Sequence, residues 1–276
     1  SHLPKVSLAG RTVLVTGGTQ GIGAGCAMAA AEAGAAAVCI TGRDAARGAA
    51  VVAALRALGA RAHFVRADLA DAAATAGIVG EAEAALGLVD GLVNAAGLTD
   101  RGSILDTPAE LWDRLFAINA RAPFLLTQAI ARRLKEAGRP GAIVNVISMS
   151  SHGGQPFLTG YSASKGALAT LTKNTALGLR PLRIRVNGIN LGWADTPGEH
   201  LIQQKDGNPA DWLERAAYRA RKFGSVERGA ELDRNVAEAG RAAGLTFRHD
   251  RMERTPNTIA AHRVIRMAED HGVQDA

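Results

Sequence analysis

The chain has 276 residues, 47% of them hydrophobic, with 32 glycines and a formal net charge of +6 at pH 7. That length buries one sizeable core and the composition suits an α/β protein with tightly packed helices, while no apolar run reaches the ~18 residues of a membrane span and no signal-like N-terminus is present. The charge is scattered, with 24 basic and 17 acidic side chains in residues 1–224 and 8 and 9 in residues 225–276, and lacks a basic run or interleaved aromatics, so nucleic acid is not the expected partner.

The opening Ser1-His2, without an initiator Met, reads as a trimmed or tagged start. Thr12 to Thr16 (TVLVT) reads as a buried strand, followed by Gly17, Gly18, Thr19, Gln20, Gly21, Ile22 and Gly23 and an Ala-rich helical run to Ala33, with Gly34 as its C-cap. Further strands are expected at Val38–Thr41, Phe64–Ala67, Gly91–Ala95, Ile143–Ile147 and Ile184–Ile189. Helices are expected at Ala45–Leu58, Ala72–Leu86, Pro108–Leu134 and Ser162–Leu179. Strands buried on both faces and joined by crossover helices imply a parallel, doubly wound sheet, with ligands at the carboxyl ends of its strands. Cys26 and Cys39 lack ligand spacing and read as buried packing residues in a reducing compartment; no metal site is expected.

Two patterns along this alternation carry chemistry. A strand, a glycine turn and a helix start let backbone N–H groups and the positive end of the helix dipole meet a pyrophosphate, although the spacing here is G-x-x-x-G-x-G and also suits an ordinary βα turn. Tyr161 and Lys165 lie four residues apart, so on a helix they share a face. A tyrosine has an unperturbed pKa of about 10, and a neighbouring ammonium lowers it, which lets the ring oxygen exchange a proton with a substrate near neutral pH. Such a proton donor needs a hydride partner.

The segment TGGTQGIG, NAAG at Asn94 to Gly97, Asn119, Ser148 and the Tyr161-x-x-x-Lys165 pair together resemble the short-chain dehydrogenase/reductase family over roughly residues 7–224. The resemblance implies a Rossmann-type fold and an oxidoreductase that moves a hydride between a nicotinamide cofactor and a small carbonyl or alcohol substrate. Tyr161 is then the acid/base, Ser148 donates a hydrogen bond to the substrate oxygen, Lys165 lowers the tyrosine pKa and binds the ribose, and Asn119 holds a water that relays protons to the lysine. Ser150 and Ser151 rival Ser148 and read as loop residues. Gly17, Thr19, Gln20, Gly21, Ile22 and Gly23 would cradle the dinucleotide phosphates, and Asp68 with Leu69 the adenine. Gly97 would lie beside the nicotinamide ribose, and Thr196 would hold the carboxamide, in a turn (Leu191 to Thr196) that lacks the family's proline. The resemblance also places Asn94 and Tyr161 among the cofactor contacts, although such an asparagine more often ties the central strand to a neighbouring loop than it touches the ligand.

The second strand ends in Thr41, Gly42, Arg43 and Asp44. Arg43 offers a fork of donors to a 2′-phosphate, so NADP(H) is favoured. NAD(H) stays open, because the family's other marker, a basic residue before the second motif glycine, is Gln20 here. His152, Gln155, Trp193 and the segment Glu199 to Phe223, with Trp212 and Tyr218, would surround a small polar ketone or alcohol. A homo-oligomer is the family's usual assembly.

Past Gly224 the chain departs from this pattern. One helix is expected around Ala230 to Ala243 and another from Asn257 to Gly272, with Leu245 to Arg248 as an edge strand in place of the family's last helix and strand. The run GLTFRHDRMERTP followed by Asn257 to Arg263 resembles the helical insertion of DsbA-like thioredoxin-fold oxidoreductases, without their C-x-x-C motif. Two domains, 1–224 and 225–276, are therefore expected, the second a fusion fragment. Two functions follow: an active reductase, or a cofactor-binding homologue impaired by its replaced tail.

Overall fold

A computed structural model describes residues 7–153 and 155–192, together with eight positions between 224 and 238. The chain divides into two compact units, Ser1–Gly192 and Trp193–Ala276. In the first unit six parallel strands form one sheet in the order β3-β2-β1-β4-β5-β6. They are β1 (Thr12–Thr16), β2 (Ala37–Gly42), β3 (Arg61–Arg66), β4 (Gly91–Asn94), β5 (Gly141–Val146) and β6 (Ile184–Ile189). Six α-helices connect and flank them: α1 (Gly21–Glu32), α2 (Ala45–Ala57), α3 (Ala72–Leu86), α4 (Ala109–Phe116), α5 (Ala122–Glu136) and α6 (Thr159–Leu179).

Strand period and burial explain the layering. Successive side chains of β1 and β2 point to opposite faces. Val13, Val15, Val38 and Ile40 face α1 and α2, packing on Ala27, Ala30, Ala31, Val52 and Leu55. Leu14, Cys39, Leu92 and Ile143 face the other way, onto Ile78, Ala82, Leu126, Ile130 and Leu134 of α3 and α5. The small alanines of α1 bring it close to the sheet, and the order reverses between β1 and β4, so a crevice opens at their carboxyl ends.

The structure departs from the sequence reading at several points. The helix expected over residues 108–134 is two helices joined by a π-helical turn, Ala117–Arg121. Pro123 supplies the cause: it has no N–H for the Asn119 carbonyl four residues earlier, and its ring crowds that carbonyl. β3 begins at Arg61 and runs through His63, because the sheet edge tolerates polar side chains while the backbone pairs with Ala37 to Cys39. α6 begins at Thr159, so Tyr161 already lies on it. Cys39 is fully buried, but Cys26 is only half-buried.

In the second unit the backbone is helical at Glu227, Arg228, Ala230, Glu231, Arg234 and Glu238. Ser225 Oγ accepts from the Arg228 N–H at 3.1 Å, and Arg228 pairs with Glu231 at 2.6 Å. Helix thus begins ahead of Ala230. The expected strand at Leu245–Arg248, the helix from Asn257 and the resemblance of that stretch lie outside the described residues, as do Trp193, Thr196 and the segment 199–223.

Candidate active site

The glycine turn is built by close approach. Gly17 has φ +64°, and a Cβ there would stand 2.8 Å from Ala96 Cα. A Cβ on Gly23 would stand 2.2 Å from the Gly17 carbonyl oxygen, so only glycine lets α1 start this near the turn. Thr16 Oγ1 accepts from the N–H groups of Ala95 and Ala96, both at 3.1 Å, which welds the end of β1 to the NAAG turn. Gln20 is the N-cap of α1 but makes no side-chain cap bond. The first amides of a helix have no intrahelical acceptor, so those of Gly21, Ile22 and Gly23 suit an anion.

At the end of β2, Asp44 caps α2 by accepting from the Arg47 N–H at 3.0 Å. Arg43 is exposed, and its carbonyl accepts from Arg66 Nε at 3.1 Å. Past β3, Asp68 Oδ1 accepts from the Ala70 N–H at 2.9 Å, while the Leu69 side chain is buried in the core and leaves only its backbone for a ligand.

The other half of the crevice is a buried polar lattice. Asn94 donates to Asn145 Oδ1 at 2.8 Å, and Asn145 donates to Thr172 Oγ1 at 2.8 Å. The tie runs to the neighbouring strand and on to α6 rather than to a loop, which corrects the sequence reading: parallel register sets the two asparagines side by side. Asn119 is fully buried; its Oδ1 accepts from the Leu98 N–H and its Nδ2 donates to the Leu98 carbonyl and to Ser164 Oγ, all at 2.9 Å. Ser164 donates in turn to the Tyr161 carbonyl at 2.7 Å. Asn119 is therefore a clamp joining the loop after β4 to the helix that carries Tyr161 and Lys165.

Lys165 Nζ donates to the Val146 carbonyl at 2.8 Å. Burial of the ammonium pulls its pKa down to about 8. A Cβ on Gly97 would stand 3.5 Å from that Nζ and 3.7 Å from Asn119 Oδ1, so this glycine lies in packing contact with both side chains. Ser148, buried just past β5, accepts from the Ser150 N–H at 3.1 Å, which leaves its own O–H to donate elsewhere. Tyr161 is half-buried in the first turn of α6. His152 is exposed, with Asn190 Nδ2 3.5 Å from its Nε2, and Gln155 is half-buried.

The glycine turn, Arg43, Asp68, Gly97 and Ser148 follow carboxyl ends of strands, Asn94 ends β4, and Asn119, Tyr161 and Lys165 lie on helical segments of the connections after β4 and β5. The donors present have the chemistry a dinucleotide needs: helix-start amides without intrahelical acceptors at one side, and an ammonium close to Gly97 at the other. Among the described residues, no cluster of three His, Cys, Asp or Glu side chains suits a metal ion. Sequence reasoning missed Ser164, Asn145 and Arg47. The only signal for Ser164 was a hydroxyl three residues after Tyr161, and for Arg47 a second arginine one helical turn after Arg43.

Comparison with known proteins agrees with this geometry. Residues 11–207 match the family model described as short chain dehydrogenase. The chain is 38% identical over 188 residues to cyclopentanol dehydrogenase of Comamonas sp., covering 68% of this chain and 74% of that protein. It is 36% identical over 246 residues to 3-alpha-(or 20-beta)-hydroxysteroid dehydrogenase of Mycobacterium bovis, covering 86% and 92%. A blue fluorescent protein from a metagenomic library, solved in complex with NADPH, superposes with a TM-score of 0.66 at 34% identity, covering 78% of this chain and 83% of that one. With its Rossmann-like parallel sheet and these relatives, the chain belongs to the short-chain dehydrogenase/reductase family of oxidoreductases.

Proposed function

We propose that the protein is an NADP(H)-dependent oxidoreductase acting on a small ketone or alcohol, with Tyr161 as acid/base. The observation that carries this reading is the meeting of Gly97, Asn119 and the Lys165 ammonium beside the carboxyl end of β4. The bound nicotinamide would supply or take the hydride. In the reductive direction Tyr161 gives its phenolic proton to the substrate oxygen as charge builds there. Ser148 donates the hydroxyl hydrogen that its contact with Ser150 leaves available, and that bond strengthens with the charge. Lys165, positively charged below pH about 8, favours the phenolate and so acidifies the tyrosine. Asn119 and Ser164 hold Tyr161 and Lys165 in register with the loop after β4.

Arg43 supports the NADP(H) preference: it is exposed just past the end of β2, and the adjacent carboxylate of Asp44 is engaged by the Arg47 N–H and Nε. A reducing, cytoplasmic setting suits the unpaired thiols. Half-exposed Trp112 and Phe124 on α4 and α5 offer apolar surface for a second copy. No described helix is long and apolar enough to cross a membrane. The test is oxidation of NADPH and NADH by the full chain with a panel of ketones, alongside Tyr161→Phe. Turnover with NADPH that Tyr161→Phe abolishes is the expected result. Tight NADPH binding without turnover would replace this reading with that of an impaired, cofactor-binding homologue.

A further inference from the structure

We propose that Arg47, in the first turn of α2, is a second determinant of NADP(H) selectivity, sharing a 2′-phosphate with Arg43; the inference rests on the cofactor reading above. The family marker at the glycine turn is missing, since Gln20 stands where a basic residue is usual. The structure brings a cation to that place from another element: an Arg47 guanidinium nitrogen donates to Gln20 Oε1, and its Nε pairs with Asp44 Oδ2 at 3.2 Å. The guanidinium is thus held between the start of α1 and the start of α2, over the carboxyl end of β2.

Three features make this arrangement suited to phosphate. Arg47 carries five N–H donors in a planar fork, and its two contacts leave donors for a bidentate bond. Asp44 would otherwise repel a phosphate; Arg47 occupies one of its oxygens through Nε and the other through the backbone N–H. Arg66, bonded to the Arg43 carbonyl, adds a third guanidinium to the rim and fixes the loop that carries Arg43. The Arg47–Asp44 pair is more than half exposed on the arginine side, and such pairs add little to stability. Its value lies in placing charge.

The test measures dissociation constants for NADPH, NADH, 2′,5′-ADP and 5′-AMP by titration calorimetry on the wild type, Arg43→Ala, Arg47→Gln and Gln20→Ala. Arg47→Gln is expected to weaken NADPH and 2′,5′-ADP about tenfold, as one charge-assisted bond predicts, while NADH and 5′-AMP bind as before. Gln20→Ala is expected to give a smaller loss with the same selectivity. An Arg47→Gln variant that binds NADPH like the wild type, or loses NADH equally, overturns the inference; the cofactor reading survives if Arg43→Ala alone loses NADPH. A wild type that binds NADH more tightly than NADPH overturns both.

Discussion

The two halves of the crevice are built on opposite principles. On the β4–β5–α6 side the polar groups are buried and bonded to one another: Asn119, Ser164 and Lys165 are almost inaccessible, and each has fixed protein partners. On the β1–β2–β3 side Gln20, Arg43, Arg47, Arg66 and Asp68 are exposed, with contacts that are short in sequence or bridge two loops. Buried polar networks have one low-energy arrangement and lose function abruptly. Exposed charges tune affinity in small, salt-sensitive steps. On the proposed function, the difference separates the residues assigned to proton chemistry from those assigned to cofactor choice.

Lys165→Met should give the largest effect. Removing the cation proposed to acidify Tyr161 is expected to cut turnover about a hundredfold or more at neutral pH, measured as the initial rate of ketone reduction. The buried ammonium also predicts a stability signature. Its folded pKa of about 8 lies below the ordinary 10.5, so the unfolded chain binds the extra proton between those values. Stability of the wild type relative to Lys165→Met should therefore rise with pH across that window, by up to about 3 kcal/mol, and urea melts at a series of pH values would show it.

Asn119→Ala comes next. It leaves the Leu98 amide and carbonyl and Ser164 Oγ without their partner, at an expected cost of about 1–3 kcal/mol in urea unfolding. Turnover should fall more than apparent substrate binding does, because the tyrosine and lysine lose register with the loop. A variant with normal stability would break the contrast drawn between the two halves.

Arg43→Ala should be the mildest. NADPH affinity is expected to fall about tenfold at low salt with NADH unchanged, and the loss should shrink as ionic strength rises. The Lys165 effect should be insensitive to salt. Equal salt dependence at both positions would erase the distinction between buried and exposed halves.

Much of this was legible in the sequence for local reasons. The apolar, β-branched runs of β1, β2 and β6 and the five motifs all lie in short segments, so their order and spacing survive without coordinates. What escaped reading depends on neighbours distant in the chain. Asn94 meets Asn145 across 51 residues, and Arg47 meets Gln20 across 27. The π turn at Ala117–Arg121 follows from a proline that apolar periodicity does not register. β3 begins in polar residues because strand pairing, not hydrophobicity, sets an edge.

The most direct test of the central claim follows the hydride itself. NADPH dideuterated at C4 of the nicotinamide, incubated with the full chain and a ketone that it reduces, should leave one deuterium on the carbinol carbon of the product, transferred as deuteride, and Tyr161→Phe should abolish that transfer. Oxidation of the labelled cofactor with no deuterium in the alcohol, or undiminished transfer by Tyr161→Phe, would contradict a tyrosine-assisted hydride transfer in this crevice.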